Sequence, residues 1–181
     1  MAIIIPSPVN GKKPQIHDSV FIAPTAVIIG DVSIGEGSNI WFGAVLRGDW
    51  GTIRIGKNTS IQENVTIHIE RGGYVTIGNN CIIGHHAMIH GNCEINDGCL
   101  IGIGANVLHN TKLGEGAMIG AGAVLIHKEI PPRVLAVGVP AEIKKELPKG
   151  GIPVGQRTSG EYAENGALFK KAFEKTSHGL Y

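Results

Sequence analysis

An aliphatic residue returns every six positions along most of this chain, and that spacing leaves few folds open. The series runs Ile16, Ile22, Ile28, Ile34, Ile40, Leu46, then after a three-residue insertion Ile55, Ile61, Ile67. After a four-residue insertion it continues as Ile77, Ile83, Ile89, Ile95, Ile101, Val107, Leu113, Ile119 and Leu125; Pro131 interrupts it once before Val137. Four positions after the aliphatic residue the side chain is usually small, as at Ala26, Ala44, Thr59, Cys81, Ala105 and Ala117. A period of six matches neither the 3.6 of an α-helix nor the 7 of a coiled coil. It matches a short strand plus a turn, and three such units close a triangular coil. Each aliphatic residue then points inward and stacks on its equivalent about 4.8 Å away. One coil cannot bury its own core, whereas a stack of them can. With 27 glycines and only 5% aromatics, the composition suits many tight turns. The expectation is an all-β solenoid, a parallel β-helix, over residues 1–142.

The pattern fades after Ala141. Pro148, Pro153, Gly150, Gly151 and Gly155 mark 143–157 as an irregular connector. Thr158 to Glu161 (TSGE) reads as a capping box. Behind it Tyr162, Leu168, Phe169, Ala172 and Phe173 form an apolar stripe on a C-terminal α-helix over 158–181, which is expected to pack on the coil or on a neighbour.

Lys+Arg 16 against Asp+Glu 15 leaves no field for nucleic acid, and no basic run concentrates charge. The N-terminal isoleucines Ile3 to Ile5 are too short a run, with no basic flank, for a signal peptide or membrane span; a cytoplasmic location is expected. Cys81, Cys93 and Cys99 lack CxxC spacing and fall at inward small positions, with Cys81 one coil from Cys99, so they read as core rather than as disulfides or thiolate ligands.

The chemistry gathers in histidines. Let the three walls of the prism be sides A, B and C, with Ile16 opening side A and the insertions bulging at corners. Leu46, Ile67 and Ile89 then fall on side C in successive coils, and Arg47, His68 and His90, directly after them, form an outward column. His68 and His90 are close enough to share one ion at Zn–N distances of about 2.0–2.1 Å. His85 belongs to the side B unit opened by Ile83. Three prisms around a threefold axis would bring His85 of one chain to His68 and His90 of the next, giving a C₃ homotrimer. Three imidazoles with an open fourth position is the pattern of a catalytic zinc. Gln62 and Glu63 lie one coil from His85, and Arg47 and Asp49 lie beside the column. Gln62 is placed to orient bound water or bicarbonate, and Arg47 to meet Glu63 across the subunit boundary. His86 reads as solvent-facing, or as a proton carrier. His17, His109, His127 and His178 fit no column with these and read as surface residues.

Together, "LRGDWGTIRIG" (46–56), "SIQENVTIH" (60–68) and "GHHAMIHG" (84–91) resemble the γ-class carbonic anhydrases, trimers of left-handed β-helices within the hexapeptide-repeat superfamily. The likeness runs from about Ile16 through "GVPAEI" to the last helix. It implies metal ligands at His68, His85 and His90, with the middle one donated by a neighbour. It also implies roles for Arg47, Asp49 and Gln62 beside them, and a substrate-side tyrosine at Tyr162. The left hand of the coil is implied by the resemblance alone, since the general crossover rule favours the right. The implied chemistry is reversible hydration of CO₂ to bicarbonate with Zn²⁺, or with Fe²⁺ or Co²⁺ in an all-imidazole site. The chain departs from the best-known archaeal form of the family, where an acidic residue follows RGD and a longer acidic loop lies near the first histidine: here Trp50 follows Asp49 and the segment after His68 is the short "ERGGYVT", so the acidic groups linked to proton transfer in that form are missing, as in many short relatives. Two other readings stand beside this one. The first is a zinc-dependent acyl-thioesterase or a hexapeptide acyltransferase; the acyltransferase would use one histidine as a general base and leave three aligned histidines unexplained. The second is a metal-carrying or assembly protein of low turnover.

Overall fold

The computed structural model describes residues 1–176 as a parallel β-solenoid with one helix on its outside. Each expected inward residue pairs with its equivalent one coil on. Side A stacks Ile16, Ile34, Ile55, Ile77, Ile95 and Leu113. Side B stacks Ile22, Ile40, Ile61, Ile83, Ile101 and Ile119. Side C stacks Ile28, Leu46, Ile67, Ile89, Val107 and Leu125. Most of these side chains are wholly buried, and Cys81, Cys93 and Cys99 lie among them as free thiols. Burial pushes the Cys93 thiol up to about 11, which keeps it protonated and inert.

The corners explain the period. A prism must turn sharply after each short strand, and the turning residue takes a left-handed φ. One corner uses Gly37, Asn58, Asn80, Gly98, Gly116 and Arg133, and the next uses Gly43, Asn64, His86, Gly104 and Gly122. Gly and Asn adopt that conformation at least cost. The two insertions bulge at the corner between sides C and A, where Val27–Ile34 and Val45–Ile55 run continuously and the register shifts between Gly30 and Val32. The face order therefore survives.

Four features depart from the sequence reading. Leu113 pairs with Ile130 and Ile119 with Ala136, so the last coil is one residue short and neither Pro131 nor Val137 takes the inward place. Proline has no N–H to give the ladder, and sliding by one residue buries Ile130 instead. The segment after Ala141 is not irregular throughout, because Glu142–Glu146 pairs antiparallel with Val134–Val137 and closes the end. At the other end Ile3–Ile5 adds in parallel to Val27–Ile29. Finally, the helix spans Val154–Thr176 rather than beginning at 158, so Thr158 and Glu161 lie inside it and form no capping box. Its first turn is set by docking. Pro153 rests on Gly98 and Gly116, and Gly155 lies so close to Gly98 and Cys99 that no Cβ would fit. The last residues of the expected helix, 177–181, lie outside the described residues.

The helix lies along side B. Phe169 meets Trp41 edge-on at 5.1 Å, and Tyr162 meets the same ring at 6.0 Å; Phe173 stacks on Phe21 at 6.1 Å. Lys170 donates to the Asp18 carbonyl. Leu168, expected in the packed stripe, is instead exposed. Among the described residues no helix is long and apolar enough to cross a membrane.

Candidate metal centre

In-register parallel stacking turns an outward residue into a column. Arg47 pairs with His68 and His68 with His90, and the two imidazoles stand 5.2 Å apart, tilted by 48°. The corner bulge folds Asp49 back under them. Its side chain is buried, accepts a 2.8 Å bond from Arg47, and lies with Oδ1 3.6 Å from His68 Nε2. Ser7, carried in by the N-terminal strand, donates to the Asp49 carbonyl.

At that separation Asp49 and His68 are not hydrogen-bonded. His68 Nε2 and Asp49 Oδ1 are the buried side-chain polar atoms without a hydrogen-bond partner among the described residues. Burial first, then the positive charge of Arg47, lower the His68 pKa below its ordinary value, against the opposing pull of Asp49. The shift favours the neutral ring, and its buried Nε2 meets no hydrogen-bond partner among the described residues. Leaving such an atom unsatisfied costs about 1–3 kcal/mol, and a neutral imidazole is the form that binds metal. The residues present thus fit a divalent ion.

The B–C edge is prepared differently. Gln62 is buried, and its Oε1 accepts the backbone N–H of His85 at 3.1 Å. His85 Nδ1 lies 2.7 Å from Glu63 Oε2. A carboxylate on Nδ1 holds the proton there and leaves Nε2 as the ligand atom, the arrangement that commonly orients metal-bound histidine. Arg47 and Glu63, expected to meet across a subunit boundary, each have a partner in their own chain. The C-terminal helix packs on side B, beside the edge bearing Gln62, Glu63 and His85. Tyr162 sits on that wall against Trp41, with its backbone carbonyl bonded to Asn39; burial and the Glu63 charge raise its phenol pKa.

One chain does not bring the three expected ligands together. His68 and His90 stand on side C and His85 at the edge of side B. His86 is exposed at a corner with φ 58°, bonded to Asn64, where other coils carry Gly or Asn. Trp50 is exposed and stacks under the Arg71 guanidinium at 5.5 Å, so the short insertion after His68 folds onto it. His109 departs from its sequence reading. Its ring lies 5.1 Å from that of His90, with His127 stacked beyond at 6.3 Å. It stands two positions after Val107, above Gly91, and a search for columns directly after the inward residue passes over it.

A solenoid of six-residue coils carrying two neighbouring imidazoles in one column over an Arg–Asp pair defines a hexapeptide-repeat protein. The description "Bacterial transferase hexapeptide (six repeats)" matches residues 13–48, 74–102 and 92–127. A carbonic anhydrase of Geobacillus kaustophilus is 40% identical over 163 residues, covering 90% of each chain. The crystal structure of a putative acetyltransferase of Bacillus cereus superposes with a TM-score of 0.88 at 37% identity, covering 94% of this chain and 98% of that one. Gamma carbonic anhydrase 2 of Arabidopsis thaliana mitochondria is 48% identical over 86 residues, 44% of this chain, and the match spans only 31% of that relative's length. The chain belongs to the hexapeptide-repeat family of γ-carbonic anhydrase-like proteins.

Proposed function

We propose that this chain is a metal-dependent carbonic anhydrase-like enzyme, a homotrimer that hydrates CO₂ reversibly at three sites between subunits. His68 and His90 of one chain and His85 of the next would hold the ion, zinc by preference and iron or cobalt by availability. A divalent ion held by three neutral imidazoles acidifies water to near neutrality and so supplies the nucleophile for CO₂. The chain's own residues do the rest. Arg47 and Asp49 hold the floor of the His68–His90 column. Glu63 holds His85 in one tautomer. Gln62, its oxygen already engaged by the His85 backbone, has amide N–H groups to offer an oxygen of bicarbonate. The observation that carries this reading is the buried His68 Nε2, without a hydrogen-bond partner among the described residues, beside His90.

Protein purified without chelator should contain about one divalent ion per chain and turn over CO₂, and His90→Ala should lose both. Because the Bacillus cereus neighbour is titled a putative acetyltransferase, acyl transfer is the second reading, and metal-free protein with affinity for CoA would favour it. Metal without CO₂ turnover would point to a metal-carrying role.

A further inference from the structure

We infer that Glu70, His90 and His109 of a single chain form a second seat for a late first-row divalent cation, an alternative to the seat between chains. The inference rests on the three-histidine reading only in that the two seats share His90.

One ligand atom from each of these three residues lies within 4.8 Å of the others, and they are the one such group of metal-ligating side chains among the described residues. Ligands at 2.0–2.1 Å in a tetrahedral site stand about 3.4 Å from one another. His109 Nδ1 and Glu70 Oε1 are already 3.6 Å apart, and the His109 and His90 rings are 5.1 Å apart. The remaining contraction is under about 1.5 Å. Small rotations of the His90 and His109 rings, together with a rotamer change of Glu70, 64% exposed in its side chain, can supply it. The backbone makes the approach possible at Gly91, where an added Cβ would stand 2.8 Å from His109 Nδ1. Two imidazoles and a carboxylate with an open position suit zinc, cobalt or iron.

A neutral imidazole offers one lone pair, so His90 cannot serve both seats at once. The seats are therefore two positions for one ion. A chain without its neighbour holds the ion on His90, His109 and Glu70. A neighbour that brings His85 offers a third imidazole beside His68 and draws the ion inward. The outer seat is open to solvent and the inner one is closed by the subunit contact, which gives the ion a route into the assembled protein.

The test separates this inference from the three-histidine reading. Co²⁺ is titrated into metal-free His85→Ala, which lacks the inner seat's third ligand, and into His85→Ala/His109→Ala and His85→Ala/Glu70→Gln, following heat and the visible spectrum. His85→Ala should still bind one Co²⁺ per chain, and each added substitution should weaken binding tenfold or more. Thermal melts of the metal-free proteins check that folding is equal, and His85→Ala/His109→Gln replaces any variant that melts early. No Co²⁺ uptake by His85→Ala, or uptake that the His109 and Glu70 substitutions leave unchanged, overturns the inference. If wild type and His85→Ala bind with equal affinity and both depend on His109, the inter-subunit centre fails and the outer seat stands.

Discussion

Side A and side C carry their outward residues on the same kind of inward column, yet their ladders end differently. Along side A, Arg54, Thr76, Glu94, Lys112 and Glu129 stack in register. Glu94 accepts from the Tyr74 hydroxyl at 2.6 Å and pairs with Lys112 at 3.2 Å; Arg54 pairs with Asp31 at 2.6 Å, as does Lys12. Along side C, Arg47, His68, His90, Leu108 and Ile126 stack in register, and here a buried imidazole nitrogen and a buried carboxylate oxygen have no hydrogen-bond partner. One scaffold thus displays a ladder with side-chain ion pairs closed within the chain and another that, among the described residues, leaves two buried polar atoms unmatched. Pairing that closes within the chain marks a structural ladder. An orphan atom among imidazoles is what the proposed metal site would use.

The comparison can be broken from either side. The largest expected effect is on the unfinished wall: Glu63→Gln removes the carboxylate that holds His85 Nδ1 and should weaken metal affinity about 10–100-fold, read by competition with a chelator. Unchanged affinity would remove His85 from the centre. On side A, Asp31→Asn should cost about 1 kcal/mol at pH 7, measured by thermal melting. Burial alone would raise the Asp31 carboxyl, but hydrogen bonds and charge from Lys12 and Arg54 outweigh it and hold its pKa below the ordinary carboxylate value. Since the folded pKa is depressed, that stability is present above the unfolded value near about 3.9 and is lost as pH falls through the folded value. The melting difference between wild type and Asp31→Asn should therefore close in acid, and a gap that widens there would contradict the assignment. The smallest effect belongs to Lys112→Ala: its pairing with Glu94 lies in solvent, so the denaturant midpoint should stay within measurement error of wild type, with metal content unchanged.

What could be read in the residues follows from how local each signal is. The face count that put Arg47, His68 and His90 in one column needed only the period and corner insertions, and the register bears it out. The slip at Ile130 escaped it because a proline's missing N–H acts on the neighbouring coil's ladder, which a count along one chain does not represent. The helix start escaped for a similar reason: Gly155 and Pro153 are placed by contact with Gly98 and Gly116, stronger than the local capping signal at Thr158. His109 carries no signal in the period, because it approaches His90 across a corner, where the turn at Gly91 decides the distance. Ile3–Ile5, read only as too short for a membrane, is the strand that carries Ser7 to the floor of the column.

The central claim is that two chains complete what one begins. It is tested most directly by unfolding His68→Ala and His85→Ala proteins together, refolding them as mixed assemblies, and measuring CO₂ turnover, because the outer seat survives in both variants and bound metal alone would not report on the inner one. Each variant alone should hold little in the inner seat. In a random mixture about one site in four joins an intact His68–His90 wall to an intact His85 edge, so about a quarter of wild-type CO₂ turnover should return. Recovery no greater than the sum of the two variants refolded apart would contradict the account.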